Sequence, residues 1–163
     1  WGVDLKDMEA RVKSAKDLGI RPRAICVINP GNPTGQVLSR GDIEKIILLA
    51  HKHRMVILAD EVYQDNIYTQ KAPFISIRKV LAEMGDPFAK SVELISMHST
   101  SKGLMGECGL RGGYMETVNL DPYVEKMLYK LKSIELCSNT IGQLTTYLMV
   151  SPPKRGVESD ECV

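Results

Sequence analysis

The chain has 163 residues, of which 44% are hydrophobic and 25% are charged, and its formal net charge is +1. This balance is typical of a globular domain with its own core, and it excludes the strong basic charge that favours nucleic acid or an anionic membrane. No apolar run reaches the length of a transmembrane helix, and no signal peptide is visible. The four cysteines form no CxxC pair, which indicates a reducing compartment. We expect the cytoplasm, or the mitochondrial matrix if a targeting segment precedes Trp1.

The first half of the chain predicts two helix–strand units in which amphipathic helices alternate with short apolar strands. Asp4 and Ser39 are the expected helix N-caps, and Gly19 is the expected stop of the first helix. The predicted elements are a helix from Asp4 to about Leu18, a strand over 24–28, a helix from Ser39 to about His53 and a strand over 55–59.

The second half continues the alternation and adds a more polar strand, which we expect near an edge of the sheet. The predicted elements are a helix over 75–84, a strand over 92–97, a strand over 112–118, a helix over 122–133 and a helix over 140–150. Apolar strands that alternate with helices predict an α/β fold, a mostly parallel sheet with helices on both faces. We expect residues 1–153 to be part of one domain, 154–163 to be a polar tail, and the chain to be a piece of a larger protein.

Polar residues follow three of the predicted strands at the point where each strand ends. Asn32 follows the first strand, Asp60 and Tyr63 follow the second, and Ser99 to Lys102 follow the third. The carboxyl ends of parallel strands meet at one edge of a sheet, where ligands bind in such folds. We therefore expect these three clusters to converge on one site.

Lys102 lies among small hydroxyl residues, Ser99 and Ser101 included, and several glycines follow it. A lysine on a tight turn can be partly desolvated, and a desolvated amine is the better nucleophile for Schiff-base chemistry. The hydroxyls and Arg111 suit a phosphate. This pattern favours a lysine that holds an aldehyde cofactor carrying a phosphate. The alternatives are a solvated lysine on a plain loop and, for Arg111, a surface ion pair.

The other two clusters fit the same kind of cofactor. A carboxylate at Asp60 can pair with a protonated ring nitrogen, as pyridoxal phosphate requires, because its protonated pyridine is the electron sink. Tyr63 and Asn32 can reach the ring hydroxyl. The alternatives are a helix N-cap or surface acid for Asp60, a half-buried tyrosine for Tyr63 and an Asx-turn for Asn32.

Three motifs in the chain carry a family resemblance that runs from Trp1 to about Pro153. Asn32-Pro33-Thr34-Gly35, Asp60-x-x-Tyr63, and Ser99-x-x-Lys102 with a following Gly109-x-Arg111 resemble the signatures of the class I/II, fold-type I aminotransferases. Within that family, the longer matches around each motif resemble the alanine aminotransferases. The resemblance implies the large domain of that fold, in which residues 112–118 form an antiparallel strand.

The resemblance also implies a role for each matching residue. Lys102 would form the Schiff base with pyridoxal 5'-phosphate and move the substrate's alpha proton, and Asp60 would pair with the pyridine nitrogen. Tyr63 and Asn32 would hold the ring hydroxyl, and the phosphate ligands would be Ser99, Ser101 and Arg111. The implied reaction exchanges an amino group between L-alanine and 2-oxoglutarate, giving pyruvate and L-glutamate, in a homodimer.

Parts of that family's active site have no counterpart in this sequence. The N-terminal phosphate-loop residues and the arginine for the substrate carboxylate lie outside it, so we expect the chain alone to be inactive. The alternatives are another aminotransferase, a lyase of the aminocyclopropane-carboxylate synthase type, and a truncated non-catalytic chain. We expect no metal, because His51 and His53, two apart on a helix, face different ways.

Overall fold

The computed structural model describes residues 2–69 and 72–153, in which helices alternate with the strands of one sheet. The strands are β1 (Ala24–Ile28), β2 (Val56–Asp60), β3 (Leu94–Ser99) and β4 (Gly113–Val118). The helices are α1 (Leu5–Asp17), α2 (Arg40–His53), α3 (Ile77–Glu83), α4 (Phe88–Ser91), α5 (Pro122–Ser133) and α6 (Thr140–Val150). The polar tail expected over 154–163 lies outside the described residues. Within the described ranges, no helix is both long enough and apolar enough to span a membrane.

The helices begin where the sequence placed their caps. The Asp4 carboxylate accepts hydrogen bonds from the backbone N–H groups of Lys6 (2.9 Å) and Asp7 (3.2 Å). The hydroxyl of Ser39 accepts from the N–H of Asp42 at 3.1 Å. These bonds satisfy N–H groups that have no partner inside a helix. Local capping chemistry therefore sets the starts of α1 and α2, as predicted.

The strands form one sheet in the order β1-β2-β3-β4. β1, β2 and β3 are parallel, and β4 is antiparallel to β3 at the edge of the sheet. This topology confirms the mostly parallel α/β prediction, and the direction of β4 is the one that the family resemblance implied. The register pairs Ile28 with Asp60 and Asp60 with Met97, so the carboxyl ends of the three parallel strands lie side by side.

One face of the sheet is densely packed. Ile57 and Ala59 of β2 and Leu94 of β3 are fully buried on this face. Helices α1, α2 and α3 supply most of the residues that cover it: Val12, Ile43, Ile46, Ile47, Leu49, Ala50, Ile77, Val80 and Leu81. Burial of a side chain the size of isoleucine stabilises a fold by about 1.5–3 kcal/mol, so most of the stability of the chain resides on this face.

The opposite face is covered only in part. Helix α5 lies against it over β4, where the Thr117 hydroxyl donates a hydrogen bond to the Glu125 carboxylate at 2.9 Å. On the same face of β1, Cys26 and Ile28 are exposed. Helices are thus present on both faces, as predicted, but on this one the residues of β1 are exposed and those of β2 are only half-buried.

Several element bounds differ from those predicted. β2 begins and ends one residue later than expected, and β3 extends two residues further, to Ser99. The reason is that ladder hydrogen bonding continues past the apolar core, pairing Asp60 with Met97 and Ser99 with Gly113. The short helix α4 and a single 3-10 turn at Cys108–Leu110 were not predicted, because one turn is too short to show periodicity.

Candidate active site

The loops that follow β1, β2 and β3 are joined by backbone hydrogen bonds at the sheet edge. The N–H of Asn29 donates to the carbonyl of Asp60 at 3.0 Å, and the N–H of Glu61 donates to the carbonyl of Met97 at 3.2 Å. Asn29 is fully buried, and its side-chain oxygen accepts from the N–H of Leu38 at 2.9 Å, which closes the loop between β1 and α2. The three polar clusters predicted from the sequence therefore lie on one continuous edge.

Asn32 and Tyr63 are in side-chain contact although they are 31 residues apart. The Asn32 Nδ2 donates a hydrogen bond to the Tyr63 hydroxyl oxygen at 3.4 Å. Both residues line a cavity of about 330 Å³, together with Pro30, Gly31 and Asn66. Since the tyrosine oxygen is the acceptor in this contact, its own proton remains available for donation into the cavity.

Asp60 carries a buried carboxylate oxygen that lacks a partner. Its Oδ1 is inaccessible to solvent and has no hydrogen-bond partner among the described residues. Burial of such an acceptor without a donor is costly, so a donor from outside the chain is the expected partner. Asp60 lies inside β2 and no helix begins at it, which removes the N-cap alternative.

The lysine loop is ordered by its own hydrogen bonds. The Ser99 hydroxyl accepts from the N–H of Ser101 at 3.0 Å and donates to the carbonyl of Gly112 at 3.3 Å. Gly103 adopts φ +63°, and a side chain there would lie 3.0 Å from a carboxylate oxygen of Asp65, so the turn requires glycine. The loop holds Ser99 and Ser101 one hydrogen bond apart at the end of β3.

Lys102 is exposed, and its amine makes no hydrogen bond or ion pair with the described residues. The partial desolvation expected from the sequence is therefore not provided by this part of the chain, because the outer side of the loop faces solvent. The lysine alone does not separate the cofactor prediction from the surface alternative.

Arg111 follows the 3-10 turn, with φ +54°, and lies beside the loop that carries Ser99 and Ser101. Its Nη1 donates to the carbonyl of Cys108 at 3.0 Å, and the guanidinium is exposed. No acidic side chain of the described residues pairs with it, which removes the ion-pair alternative within that part of the chain. The remaining guanidinium N–H groups can donate hydrogen bonds to an anionic ligand.

Helix α6 fixes the position of the Arg111 turn by close backbone contact. A Cβ added at Gly142 would lie 2.7 Å from the carbonyl oxygen of Arg111, and one added at Gly112 would lie 2.5 Å from that of Gly142. The Asn139 side chain also donates to the carbonyl of Leu110 at 2.9 Å. Only glycine permits this approach, so α6 holds the turn against the end of the sheet.

Glu61 is a buried residue at the site that the sequence reasoning missed. It is 5% exposed, and its carboxylate accepts from the N–H of Ile77 at 2.7 Å and from the Ser96 hydroxyl at 3.3 Å. Desolvation raises the pKa of the Glu61 carboxyl, and the two hydrogen bonds oppose that rise. Strand alternation was the available signal, because Glu61 follows Asp60 and so points to the packed face.

His98 is buried beside the same loop. Its Nε2 contacts the Nε2 of Gln64 at 3.1 Å, and its ring packs edge-on against Tyr114. Burial lowers the pKa of the His98 imidazole, and the negative charges of Asp65 and Asp60 oppose that change. The contact joins the segment after Tyr63 to the end of β3.

Comparison with known proteins supports the family. The model of aminotransferase classes I and II matches residues 1–158. Alanine aminotransferase 1 from Bos taurus is 52% identical over 94% of this chain, and glutamate–glyoxylate aminotransferase 1 from Arabidopsis thaliana is 51% identical over 96%. The chain spans only 31% and 32% of those two proteins.

Solved structures agree with the sequence comparison. The alanine aminotransferase from Pyrococcus furiosus superposes with a TM-score of 0.74 at 28% identity, over 94% of this chain and 35% of that one. An aminotransferase from Escherichia coli gives a TM-score of 0.70 at 30% identity, over 87% and 32% of the two chains. The sheet described above thus has the fold of part of a fold-type I transferase. By its sequence, its fold and the motifs at its strand ends, the chain belongs to the class I and II aminotransferases.

Proposed function

We propose that this chain provides the lysine-bearing part of a pyridoxal-phosphate-dependent aminotransferase that exchanges an amino group between L-alanine and 2-oxoglutarate. The observation that carries the proposal is the partnerless buried oxygen of Asp60, which lies on the same sheet edge as the Lys102 loop. Family membership and about 50% identity to enzymes named for alanine support it. Residues 1–153 are then part of the large domain.

The residues present fit the cofactor at three places. The Asp60 oxygen needs a donor, the Asn32–Tyr63 pair opens on a cavity, and the Ser101 and Arg111 side chains retain donors at the end of β3. Bound pyridoxal phosphate supplies an aldehyde for Schiff-base chemistry and a protonated ring that withdraws electrons from the substrate's alpha carbon.

Each side chain has a distinct task in this proposal. The Asp60 carboxylate accepts a hydrogen bond from the ring nitrogen and keeps that nitrogen protonated. The Tyr63 hydroxyl, whose oxygen already accepts from Asn32, donates its proton to the ring oxygen. The exposed Lys102 amine, on a flexible four-carbon stem, holds and moves the proton at the substrate's alpha carbon.

The phosphate contacts are proposed for Ser99, Ser101 and Arg111. The Ser99 hydroxyl is engaged on both sides within the loop, so it positions Ser101 in addition to any contact that it makes itself. The Arg111 guanidinium can form paired hydrogen bonds with two phosphate oxygens. The α6 contact at Gly142 fixes the Arg111 backbone beside the loop.

A second substrate pair has support from one observation. The Arabidopsis protein that is 51% identical to this chain is named for glutamate and glyoxylate, an identity nearly equal to that of the bovine alanine enzyme. Glyoxylate is therefore the alternative amino acceptor. We further propose a homodimer in the cytoplasm or the mitochondrial matrix; a Dictyostelium discoideum relative, 48% identical, is named "Probable alanine aminotransferase, mitochondrial".

The test uses a chimera in which this chain replaces the matching third of bovine alanine aminotransferase 1. Borohydride reduction after incubation with pyridoxal phosphate, followed by peptide mass spectrometry, should place the pyridoxyl group on Lys102. The chimera should convert L-alanine and 2-oxoglutarate to pyruvate and L-glutamate, and Lys102→Ala should abolish both label and turnover. The matched control is Lys130→Ala, an exposed lysine of α5.

Two outcomes would contradict the proposal. One is a folded, dimeric chimera that spreads the label over many surface lysines. The other is a Lys102→Ala variant that retains both a reducible adduct and full turnover. Parallel assays with glyoxylate as acceptor, in the bovine chimera and in an Arabidopsis glutamate–glyoxylate chimera, separate the two substrate pairs by their relative kcat/KM.

A further inference from the structure

A second cavity, of about 420 Å³, lies at the edge of the sheet opposite the candidate active site. Its lining includes Arg54 and Met55, which precede β2, and Val92 and Glu93, which precede β3. Parallel strands have all their amino ends at one edge, and strands of five residues separate that edge from the other by about 17 Å. This cavity is therefore distinct from the one near Asn32 and Tyr63.

The floor of the cavity is apolar. Ala50, Met55 and Val92 line it and are 1%, 4% and 2% exposed. These side chains belong to the core of the packed face, so the floor is formed by the folded chain itself. Such a surface favours the apolar part of a ligand.

The walls of the cavity are held by hydrogen bonds. The Asn119 Nδ2 donates to the carbonyl oxygens of Ala89 and Val92, both at 2.9 Å. The Ser91 hydroxyl donates to the carbonyl of Pro87 at 2.7 Å, so its oxygen accepts from the Nδ1–H of His51 at 3.1 Å. A cavity with fixed walls binds at a smaller entropic cost than one that must be ordered.

Charged side chains of both signs line this cavity, and Arg54, Glu93 and Asp121 have no charged partner among the described residues. Among the described residues, neither Arg54 nor Glu93 forms an ion pair, and the Arg54 guanidinium makes no hydrogen bond. Within this described part of the chain, the Glu93 carboxylate accepts only one long hydrogen bond, from the N–H of Asp121 at 3.4 Å. The Asp121 carboxylate is itself engaged as the N-cap of α5, at 2.8 Å from the N–H of Tyr123.

Arg54 also occupies an unusual backbone position. It follows α2 with φ +53°, in the left-handed region that glycine usually fills at a helix end. An arginine in this conformation costs backbone energy and places a long cation at the rim of the cavity. Such outliers cluster at sites that bind ligands.

We propose that this cavity binds a free α-amino acid with an apolar side chain. The ligand carboxylate pairs with the Arg54 guanidinium, the ammonium pairs with the Glu93 carboxylate, and the side chain rests on Ala50, Met55 and Val92. A simple anion would leave Glu93 unpaired, and a simple amine would leave Arg54 unpaired, whereas a zwitterion satisfies both. The proposal does not depend on the function proposed for the Lys102 edge.

Three matched probes test the proposal by isothermal titration of the 163-residue chain. L-Leucine carries both charges, 4-methylpentanoate lacks the amine and 3-methylbutylamine lacks the carboxylate. We expect each single-charge probe to bind about tenfold more weakly than leucine or worse, because each loses one charge-assisted contact. In hydrogen exchange, bound leucine should protect the backbone amides of residues 50–55, 91–93 and 119–121.

Variants assign the two charges. Arg54→Gln should weaken the binding of leucine about tenfold and leave the affinity for 3-methylbutylamine unchanged. Arg54→Lys should retain most of the wild-type affinity for leucine. Glu93→Gln should weaken the binding of leucine to a similar extent. It should leave the affinity for 4-methylpentanoate unchanged or raise it. Arg21→Gln and Glu135→Gln, at exposed charges elsewhere, are the controls, and circular dichroism checks that every variant folds.

The proposal is overturned if leucine gives no binding heat to a folded chain, or if 4-methylpentanoate binds as tightly as leucine. Exchange protection confined to residues 99–112 would place leucine at the Lys102 edge and would also overturn it. Failure of the Lys102 labelling test leaves these outcomes unaffected, so the two proposals fail separately.

Discussion

The two faces of the sheet differ in what covers them. On one face, Ile57, Ala59 and Leu94 are fully buried under α1, α2 and α3. On the other face, Asp60 and Ser99 are half-buried and Ile28 is exposed, and α5 covers only the β4 end. Alternate residues of the same strands thus experience a closed core and an open surface.

Within a single strand, the residues on the packed face therefore stabilise the fold, and those on the open face are available for binding. Side chains on the packed face are constrained by neighbours on every side, whereas those on the open face are free to contact something outside the chain. The motif residues Asp60 and Ser99 lie on the open face, next to positions that carry the packing energy. The rigid packed face therefore positions the open one, as precise sites require.

The largest effect is expected on the open face, at Asp60. Asp60→Ala in the bovine chimera should lower alanine turnover at least about 100-fold, because loss of the ring-nitrogen partner weakens the electron sink. The free energy of unfolding of the cofactor-free chain should rise by up to about 1–3 kcal/mol, because the substitution removes a buried acceptor that has no donor. Turnover and urea unfolding measure the two quantities.

The control for Asp60 is Asp86→Ala, which removes an exposed carboxylate paired with Lys90. It should leave turnover unchanged. Near-parental turnover in Asp60→Ala would show that the carboxylate has no part in the reaction and would remove the main support for the proposed function.

The next effect compares neighbouring residues on opposite faces of β2. Ile57→Ala should lower the free energy of unfolding by about 2–4 kcal/mol, because it opens a cavity in a fully buried position. Leu58→Ala, at a half-buried position on the open face, should cost about 1 kcal/mol. Urea unfolding with unchanged m-values measures both, and equal losses would contradict the one-sided core.

A smaller effect is expected where α6 meets the Arg111 turn. Alanine normally stabilises a helix interior by about 1 kcal/mol over glycine, but Gly142→Ala should destabilise by about 1–3 kcal/mol because its Cβ meets the Arg111 carbonyl at 2.7 Å. Gly109→Ala is the control, since nothing lies within 4 Å of its added Cβ. A stabilising Gly142→Ala in thermal unfolding would refute the close contact.

The smallest effect concerns the pH dependence contributed by Glu61. Burial raises the pKa of this carboxyl above its unfolded value, so between the two values the folded chain binds more protons than the unfolded one. Its contribution to stability is therefore lost as the pH rises through the folded pKa, and it is fully present below the unfolded pKa of about 4.5.

Glu61→Gln should remove this dependence, because the amide oxygen still accepts from the N–H of Ile77 and carries no charge. The gain in stability over the wild type should grow from pH 4 toward pH 7. Glu135→Gln, at an exposed glutamate, should give a flat difference. If urea unfolding showed that the stability gain of Glu61→Gln shrinks as the pH rises, the pKa of Glu61 would be lowered in the folded chain and the prediction would be wrong.

The sequence by itself determined the local structure of this protein. The caps Asp4 and Ser39 fixed helix starts, and the run Ala24–Ile28 is a strand with the predicted bounds. The predicted parallel arrangement of the strands also placed the three polar clusters at one edge of the sheet, since residues that follow adjacent parallel strands share that edge. These features depend on residues near one another in the chain, so local chemistry is sufficient to predict them.

Only the tertiary structure decided how the two faces differ and which side chains meet. The contact of Asn32 with Tyr63 spans 31 residues, and the burial of Glu61 requires α3 to lie against β2. The exposure of Lys102, the open face around Asp60 and the charged cavity at Arg54 have the same origin. Each of these features depends on which distant segments pack over a residue. The spacing of residues along the chain does not predict that packing.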